Sequence, residues 1–385
     1  MTETDASDPR CPNTEIRAVD TTLRATRVST RTSWHLITVE SAEGRIGLGE
    51  CSDAGPGLGA AWQLARDLLA QWNGDLASVI EALRVARGRA ADSTARLAIA
   101  TVCGGLDQAL ADLRSQAAGQ PLWRWLGAAR ARPVARYANV NRALRTRTPE
   151  EFAQVAAAAV RDGFTAVKCA PFDSLPPAGR LRAGLDRVRS VREAVGPDVE
   201  LMLDAHHLVT VADVLSAAVE LRALNLRWLE DAVRLDDADG LAALHAARIA
   251  PLAGGELAFD VDEVRPALES GCLAYLMPDV KHAGGVTGAL RLARAARDAG
   301  VAVSMHNPSG PVATAFGVHV AVACGGHTES EFAYGEVPWR ASAVSPGELE
   351  QGPILQATDG PGLGLRLTDE AAWRREHEED HEPAA

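Results

Sequence analysis

The chain has 385 residues, 47% of them hydrophobic, which is enough to bury the core of a barrel-sized domain together with a smaller one. Its 39 basic and 51 acidic side chains leave a formal charge of −12, which argues against nucleic acid or an anionic membrane as partner; a small anionic substrate must find positive charge locally. No run of about 18 apolar residues occurs, and the opening Met1-Thr-Glu-Thr-Asp is polar and acidic rather than signal-like, so a cytoplasmic location is expected.

Residues 1–13 read as a disordered tail. From 14 to 130 the pattern is strands followed by helices, an α+β domain. Thr14-Glu-Ile-Arg-Ala-Val19 and Trp34 to Glu40 are strand-like, with Ser41-Ala-Glu-Gly44 as a turn. Helical stretches follow from Ala60 to Gln71 and from Arg96 to Gln116, the second interrupted only by Gly104 and Gly105. Trp34 and His35 lie where a loop of this domain could reach over a neighbouring site, with Arg31 as a contact to a carboxylate or hydroxyl. The six cysteines form no CxxC pair, so neither a zinc ribbon nor a disulfide framework is expected.

Between 131 and 340, short apolar runs alternate with Ala- and Leu-rich helical segments. The runs are Val134 to Val140, Phe164 to Lys168, Val199 to Asp204, Leu226 to Glu230, Pro251 to Glu256, Leu273 to Asp279, Val301 to His306 and Glu329 to Tyr334. Eight strands in this alternation predict an α/β fold, a (β/α)7β TIM-type barrel whose chemistry lies at the strand C-terminal ends. Residues 341–368, ending in Gly360-Pro-Gly-Leu-Gly-Leu-Arg-Leu367, are expected to return to the N-terminal capping domain and complete it. Residues 369–385 form a charged, solvating tail.

Asp204, Glu230 and Glu256 are spaced 26 residues apart, one strand-helix unit each, so all three should meet at one end of neighbouring strands. Three anions converging in a water-poor barrel mouth call for a divalent cation with oxygen ligands, most often Mg²⁺. The same register places Lys168, Asp279, His306 and Glu331 at strand ends, with Glu329 competing on the same face as Glu331. Cys169, one position on, should point away from the lumen.

This order of residues behind a capping domain, with Pro278-Asp279-Val-Lys-His-Ala-Gly-Gly285 and Met305-His306-Asn-Pro-Ser-Gly-Pro311, resembles the enolase superfamily and its mandelate racemase-like subgroup. The resemblance implies Mg²⁺ on Asp204, Glu230 and Glu256, and removal of the proton next to the carboxylate of a small substrate. His306 is then the base, because imidazole titrates near neutrality, and Asp279 orients its ring. Glu331 assists at the substrate carboxylate. A homo-oligomer is also expected.

Two departures narrow the reaction. Lys168-Cys169-Ala170 lacks the second lysine of a racemase, whereas Asp204-Ala205-His206 resembles the acid-sugar dehydratases, in which that histidine protonates the departing hydroxyl. Strand alternation would put His206 beside the metal, His207 away from it, and Lys168 at the mouth near the substrate carboxylate. The leading reading is dehydration of a sugar-derived polyhydroxy acid to a 2-keto-3-deoxy acid. The alternatives are a racemase, epimerase or cycloisomerase, and a barrel that only binds a ligand. Lys281 reads as an exposed loop lysine; turned inward, it would pair with Lys168 as a second base. The run Glu230-Asp231-Ala232 lacks the proline that the family more often has there, which would change the loop above the metal, and the three-proline loop from Pro171 to Arg180 is expected to border the substrate.

Overall fold

The computed structural model describes residues 15–29, 32–326, 328–347, 350–351 and 353–369. Cys11, Arg31 and both tails of the sequence reading lie outside these residues. The chain opens on an antiparallel sheet of β1 (Ala18–Arg27), β2 (Ser33–Ser41) and β3 (Ile46–Glu50), followed by α1 (Leu58–Gln71), α2 (Leu76–Arg89), α3 (Ser93–Ala117) and the short α4 (Leu122–Trp125). Ile37 and Val39 of β2 pack against Val102, Leu106 and Ala109 of α3 in a core separate from that of the barrel.

Then come β4 (Val134–Asn139), α5 (Pro149–Arg161), β5 (Ala166–Cys169), α6 (Arg180–Val195), β6 (Glu200–Asp204), α7 (Val211–Ser216) and α8 (Ala218–Ala223). The alternation continues through β7 (Leu226–Glu230), α9 (Ala238–Ala247), β8 (Leu252–Gly254), α10 (Val261–Glu269), β9 (Leu273–Leu276), α11 (Val286–Asp298), β10 (Ala302–Met305), α12 (Pro311–Cys324) and β11 (Thr328–Ala333). The eight strands β4 to β11 are parallel, each paired to the next, and β11 closes on β4 with Glu331 opposite Tyr137. No helix among the described residues is long and apolar enough to cross a membrane.

Period-two alternation sorts each strand between two environments. Val167 and Cys169, Leu201 and Leu203, and Leu229 face outward into the layer between barrel and helices, as expected for Cys169. Tyr137, Ala166, Met202, Trp228, Ala253 and Met277 fill the lumen. Trp228 packs edge-on to Tyr137 at 5.4 Å, so the lumen floor is solid. One step further along the same strands the inward residues become Asn139, Lys168, Asp204, Glu230 and Glu331, the layer on which the site is built.

The capping domain docks through close approach and through a buried acid. A Cβ at Gly49 would sit 2.0 Å from the Gly105 carbonyl oxygen, and one at Gly104 would sit 2.1 Å from that of Lys281. Gly49 thus lets β3 press against α3 within the cap, and Gly104 lets α3 press against the loop after β9 of the barrel. Glu50, fully buried at the end of β3, accepts from the backbone N–H groups of Gly310 (2.7 Å) and Ala313 (2.8 Å) at the start of α12. An acid on those unpaired N–H groups suits the helix dipole and ties the cap to the barrel.

After the barrel come β12 (Val344–Ser345), β13 (Glu350–Gln351), β14 (Ile354–Leu355) and β15 (Arg366–Leu367). β14 pairs with β4, and Gly362 then accepts from the N–H of Leu122 at 2.8 Å while the N–H of Leu363 donates to Asp112 of α3 at 2.8 Å. The segment thus reaches the capping helices, where the sequence placed it.

Candidate active site

The three acids of equal spacing converge. Asp204 and Glu230 end adjacent strands in direct register, and Glu256 follows β8, with one ligand oxygen from each lying within 4.8 Å of the others. Each Glu230 oxygen has its own donor, Lys168 Nζ at 2.8 Å and Trp228 Nε1 at 3.0 Å. Glu256 Oε2 is buried and has no aligned donor, although His306 Nε2 lies 3.0 Å away. Burial and then the Asp204 charge push Glu230 up to about 8, the mark of crowded carboxylates that a cation would relieve. Three oxygen-bearing anions, one of them with an orphaned oxygen, fit a hard divalent ion.

Two imidazoles flank this set. His306 Nδ1 is 2.7 Å from Asp279 Oδ2, and its Nε2 faces Glu256, with Glu331 Oε2 at 3.5 Å. Burial alone would lower the pKa of His306; Glu256, then Glu331 and the Asp279 bond overcome it and hold the ring well above the ordinary value. On the other flank His206 Nε2 lies 2.8 Å from Asp204 Oδ2, and Nδ1 lies 2.7 Å from Asp173 Oδ1. Both histidines, with Asp204, Glu256 and Asp173, line one cavity of about 380 Å³.

Several positions differ from the sequence reading. Lys168 is not at the mouth: it has no exposed surface and sits beneath the acids, 2.8 Å from both Glu230 and Glu331 and 3.6 Å from Asp204. Lys281 is not an exposed loop lysine but fully buried. Asp279 Oδ1 accepts from the Lys281 N–H at 2.7 Å, and this Asx-type turn brings Nζ back to Oδ2 at 2.7 Å and to Asn307 Oδ1 at 3.0 Å. Lys281 therefore stands behind Asp279 and forms no two-base pair with Lys168.

His206 does not arrive by strand alternation. The strand stops at Asp204, and His206 takes a left-handed φ of +44°, with its N–H on Asp204 Oδ1 at 3.0 Å. His207 turns away to Asp231 at 3.4 Å. Trp34 and His35 are strand residues of β2 rather than a covering loop; Trp34 is buried and its Nε1 donates to Glu336 at 3.3 Å. Ser29, Thr32 and Asp53 are the capping-domain residues at the cavity.

Of the two late glutamates, Glu331 faces the site: Asn139 donates to its Oε1, and Oε2 accepts from the Asn307 N–H at 3.0 Å. Glu329 lies one layer lower on Arg227 at 2.7 Å. Asp173, Asn139, Asn141, Arg142 and Arg147 were not singled out from the sequence. Asn139 closes a barrel strand, a signal the sequence carried, whereas the others sit on loops, where no periodicity marks them.

A closed parallel barrel with a docked α+β cap and a strand-end triad of acids between two imidazoles defines a class of metal-ready barrel proteins. Comparison with known proteins agrees. Residues 11–127 match the mandelate racemase / muconate lactonizing enzyme N-terminal domain, and residues 151–371 match the enolase C-terminal domain-like family. The chain belongs to this family, the mandelate racemase-like group of the enolase superfamily. It is 30% identical over 292 residues to a D-galactonate dehydratase of Klebsiella pneumoniae (strain 342), covering 74% of this chain and 75% of that one. It is 29% identical over 275 residues to a D-gluconate dehydratase of Thermoproteus tenax, covering 70% of this chain and 55% of that one. A crystal structure of an enolase superfamily member from Salmonella Typhimurium shares the fold, with a TM-score of 0.79 at 23% identity over 94% of this chain and 98% of that one.

Proposed function

We propose that this protein is a Mg²⁺-dependent hydro-lyase that dehydrates a sugar-derived polyhydroxy acid to a 2-keto-3-deoxy acid. The observation that carries this reading is the pair of imidazoles on one cavity, one beside Asp204 and the other beside Glu256. Loss of water needs a base at C2 and an acid at C3, and the two rings supply one each. The dehydratase names of the relatives in Klebsiella pneumoniae and Thermoproteus tenax point the same way.

Asp204, Glu230 and Glu256 would hold the Mg²⁺, which when bound stabilises negative charge gathering on the substrate carboxylate and so acidifies the neighbouring C–H. His306 Nε2 takes the C2 proton, with Asp279 holding Nδ1. The electron pair of that C–H bond moves first onto the substrate carboxylate as an enediolate, and then returns to form the C2–C3 double bond as the C3–O bond breaks. His206 Nε2 gives its proton to the departing oxygen, which leaves as water. The resulting enol gains a proton at C3, loses the one on its C2 oxygen and becomes the 2-keto acid. Lys168 fixes Glu230 and Glu331 from below, and Glu331 in turn holds the Asn307 backbone beside His306. The five free cysteines among the described residues suit a reducing cytoplasm.

Incubation with D-galactonate, D-gluconate and a panel of other acid sugars in D₂O with Mg²⁺ tests this. The expected result is a 2-keto-3-deoxy product. Deuterium at C2 without water loss would instead favour a racemase or epimerase, for which the same two imidazoles would act as paired bases. Metal binding with no turnover of any acid would favour a barrel that only binds its ligand.

A further inference from the structure

His206 has an orientation problem that His306 does not. His306 follows a barrel strand directly and is buried, whereas His206 lies past the end of its strand in a left-handed conformation with its side chain 35% exposed. From the strand the ring meets only Asp204, whose Oδ2 lies 2.8 Å from Nε2, the very atom that must face the substrate, so the strand offers no hold on Nδ1. The fixed element is the loop after β5. The Arg187 guanidinium donates to the carbonyls of Pro171 (2.8 Å) and Asp173 (2.9 Å). Arg147 donates to the Ala170 carbonyl at 2.7 Å and meets Asp173 Oδ2 at 3.4 Å. Both guanidinium groups lie over the buried ring of Phe152, at 5.2 and 5.4 Å from its centroid. Phe172 anchors the same loop against α6 at Gly184, where a Cβ would come within 2.2 Å of its ring.

Building on the dehydration reading, we propose that Asp173, held by Arg147, is the positioning residue of His206: it takes Nδ1 and so presents Nε2 to the hydroxyl that leaves from C3. The carboxylate-imidazole pair matches Asp279 with His306, but it comes from a loop rather than a strand end. Its two oxygens divide the work, Oδ1 to the imidazole and Oδ2 toward the guanidinium. A ring free to turn about its Cβ–Cγ bond would present Nε2 to the leaving group only part of the time, so the effect falls on departure of the hydroxyl and not on proton removal at C2.

The test uses the full chain with Mg²⁺ in D₂O and D-galactonate and D-gluconate as probes, comparing wild type with Asp173→Asn and Asp173→Ala. The ratio of water loss to C2 deuterium exchange is expected to fall roughly ten- to a hundredfold, the usual effect of removing a partner that orients a functional histidine. A 3-deoxy-3-fluoro analogue, whose fluoride departs with little acid assistance, is expected to eliminate at similar rates in variant and wild type. Parallel loss of exchange and dehydration, a raised KM alone, or an unchanged ratio would overturn the assignment. A wild type that neither exchanges nor dehydrates any acid would remove the dehydration reading and this inference with it. A wild type that dehydrates, beside variants with its own ratio, would remove the inference alone.

Discussion

His306 and His319 are both buried, with 6% and 1% of their surface exposed, yet their surroundings drive them in opposite directions. Around His306 the carboxylates of Glu256, Glu331 and Asp279 outweigh burial and raise its affinity for a proton, a pull that a cation on Glu256 would weaken and so leave the ring able to act as a base. His319, on α12, meets neutral partners: the Trp123 N–H donates to Nδ1 at 2.9 Å, and Thr358 Oγ1 lies 3.3 Å from Nε2. Burial outweighs the opposing hydrogen bond to the Leu363 backbone there and pushes its pKa down to about 3. An imidazole in a core is thus a strut when its neighbours are neutral and a proton carrier when acids converge on it.

The largest effect that sharpens this contrast is at His306. His306→Asn is expected to lower dehydration by on the order of 10³-fold or more and to abolish C2 exchange, while His319→Gln keeps turnover. Isotope exchange measured on both variants checks this, and exchange surviving in His306→Asn would end the base assignment. Next in size is Lys281→Met. Removing the ammonium takes from buried Asp279 its foremost counter-charge and leaves only the imidazoles of His282 and His306, at a cost of about 3–5 kcal/mol. Chemical denaturation should show that loss, and an unchanged midpoint would mean that Asp279 is held by His306 and the loop alone. Smaller again is the cation: at a hundred times its dissociation constant, Mg²⁺ should stabilise the fold by about 2.7 kcal/mol. The melting temperature should rise with Mg²⁺, and Glu230→Gln should blunt the rise. A melting temperature indifferent to Mg²⁺ would count against the triad as its site.

The contrast also explains what the sequence could disclose. Strand periodicity carries position, so Asp204, Glu230, Glu256, Asp279, His306 and Glu331 were legible from spacing, and with them the barrel. Loop conformation carries no period. Lys281 was misread because an Asx-type turn, rather than strand alternation, directs its side chain, and Asp173 went unnoticed because only the packing of Arg147, Arg187 and Phe152 gives its loop a fixed shape. His206 was placed beside the metal set for the wrong reason, its contact with Asp204 arising from a left-handed turn. Lys168 was placed on the correct face but at the wrong depth, since alternation fixes direction and not the height of a side chain in the lumen. Gly104 and Gly105 looked like flaws in a helix; Gly104 is a point of close approach between cap and barrel, and Gly105 lies against β2 and β3 within the cap.

The smallest effect tests the strut. With a folded-state pKa of about 3 against an ordinary value of 6.5, His319 takes up a proton in the unfolded chain before it does so in the native one. Its contribution is therefore intact above about pH 6.5 and erodes as the pH falls toward 3, by about 1.4 kcal/mol per pH unit. Other groups titrate across the same range, so the informative quantity is the difference between wild type and His319→Gln. Glutamine can still accept the Trp123 N–H but carries no proton equilibrium. Between pH 7 and pH 5 wild type should lose about 2 kcal/mol more than the variant in denaturant titrations. Parallel curves would mean that water or a shifted backbone already solvates the ring, and that the neutral setting joining α12, α4 and the C-terminal segment is looser than its hydrogen bonds imply.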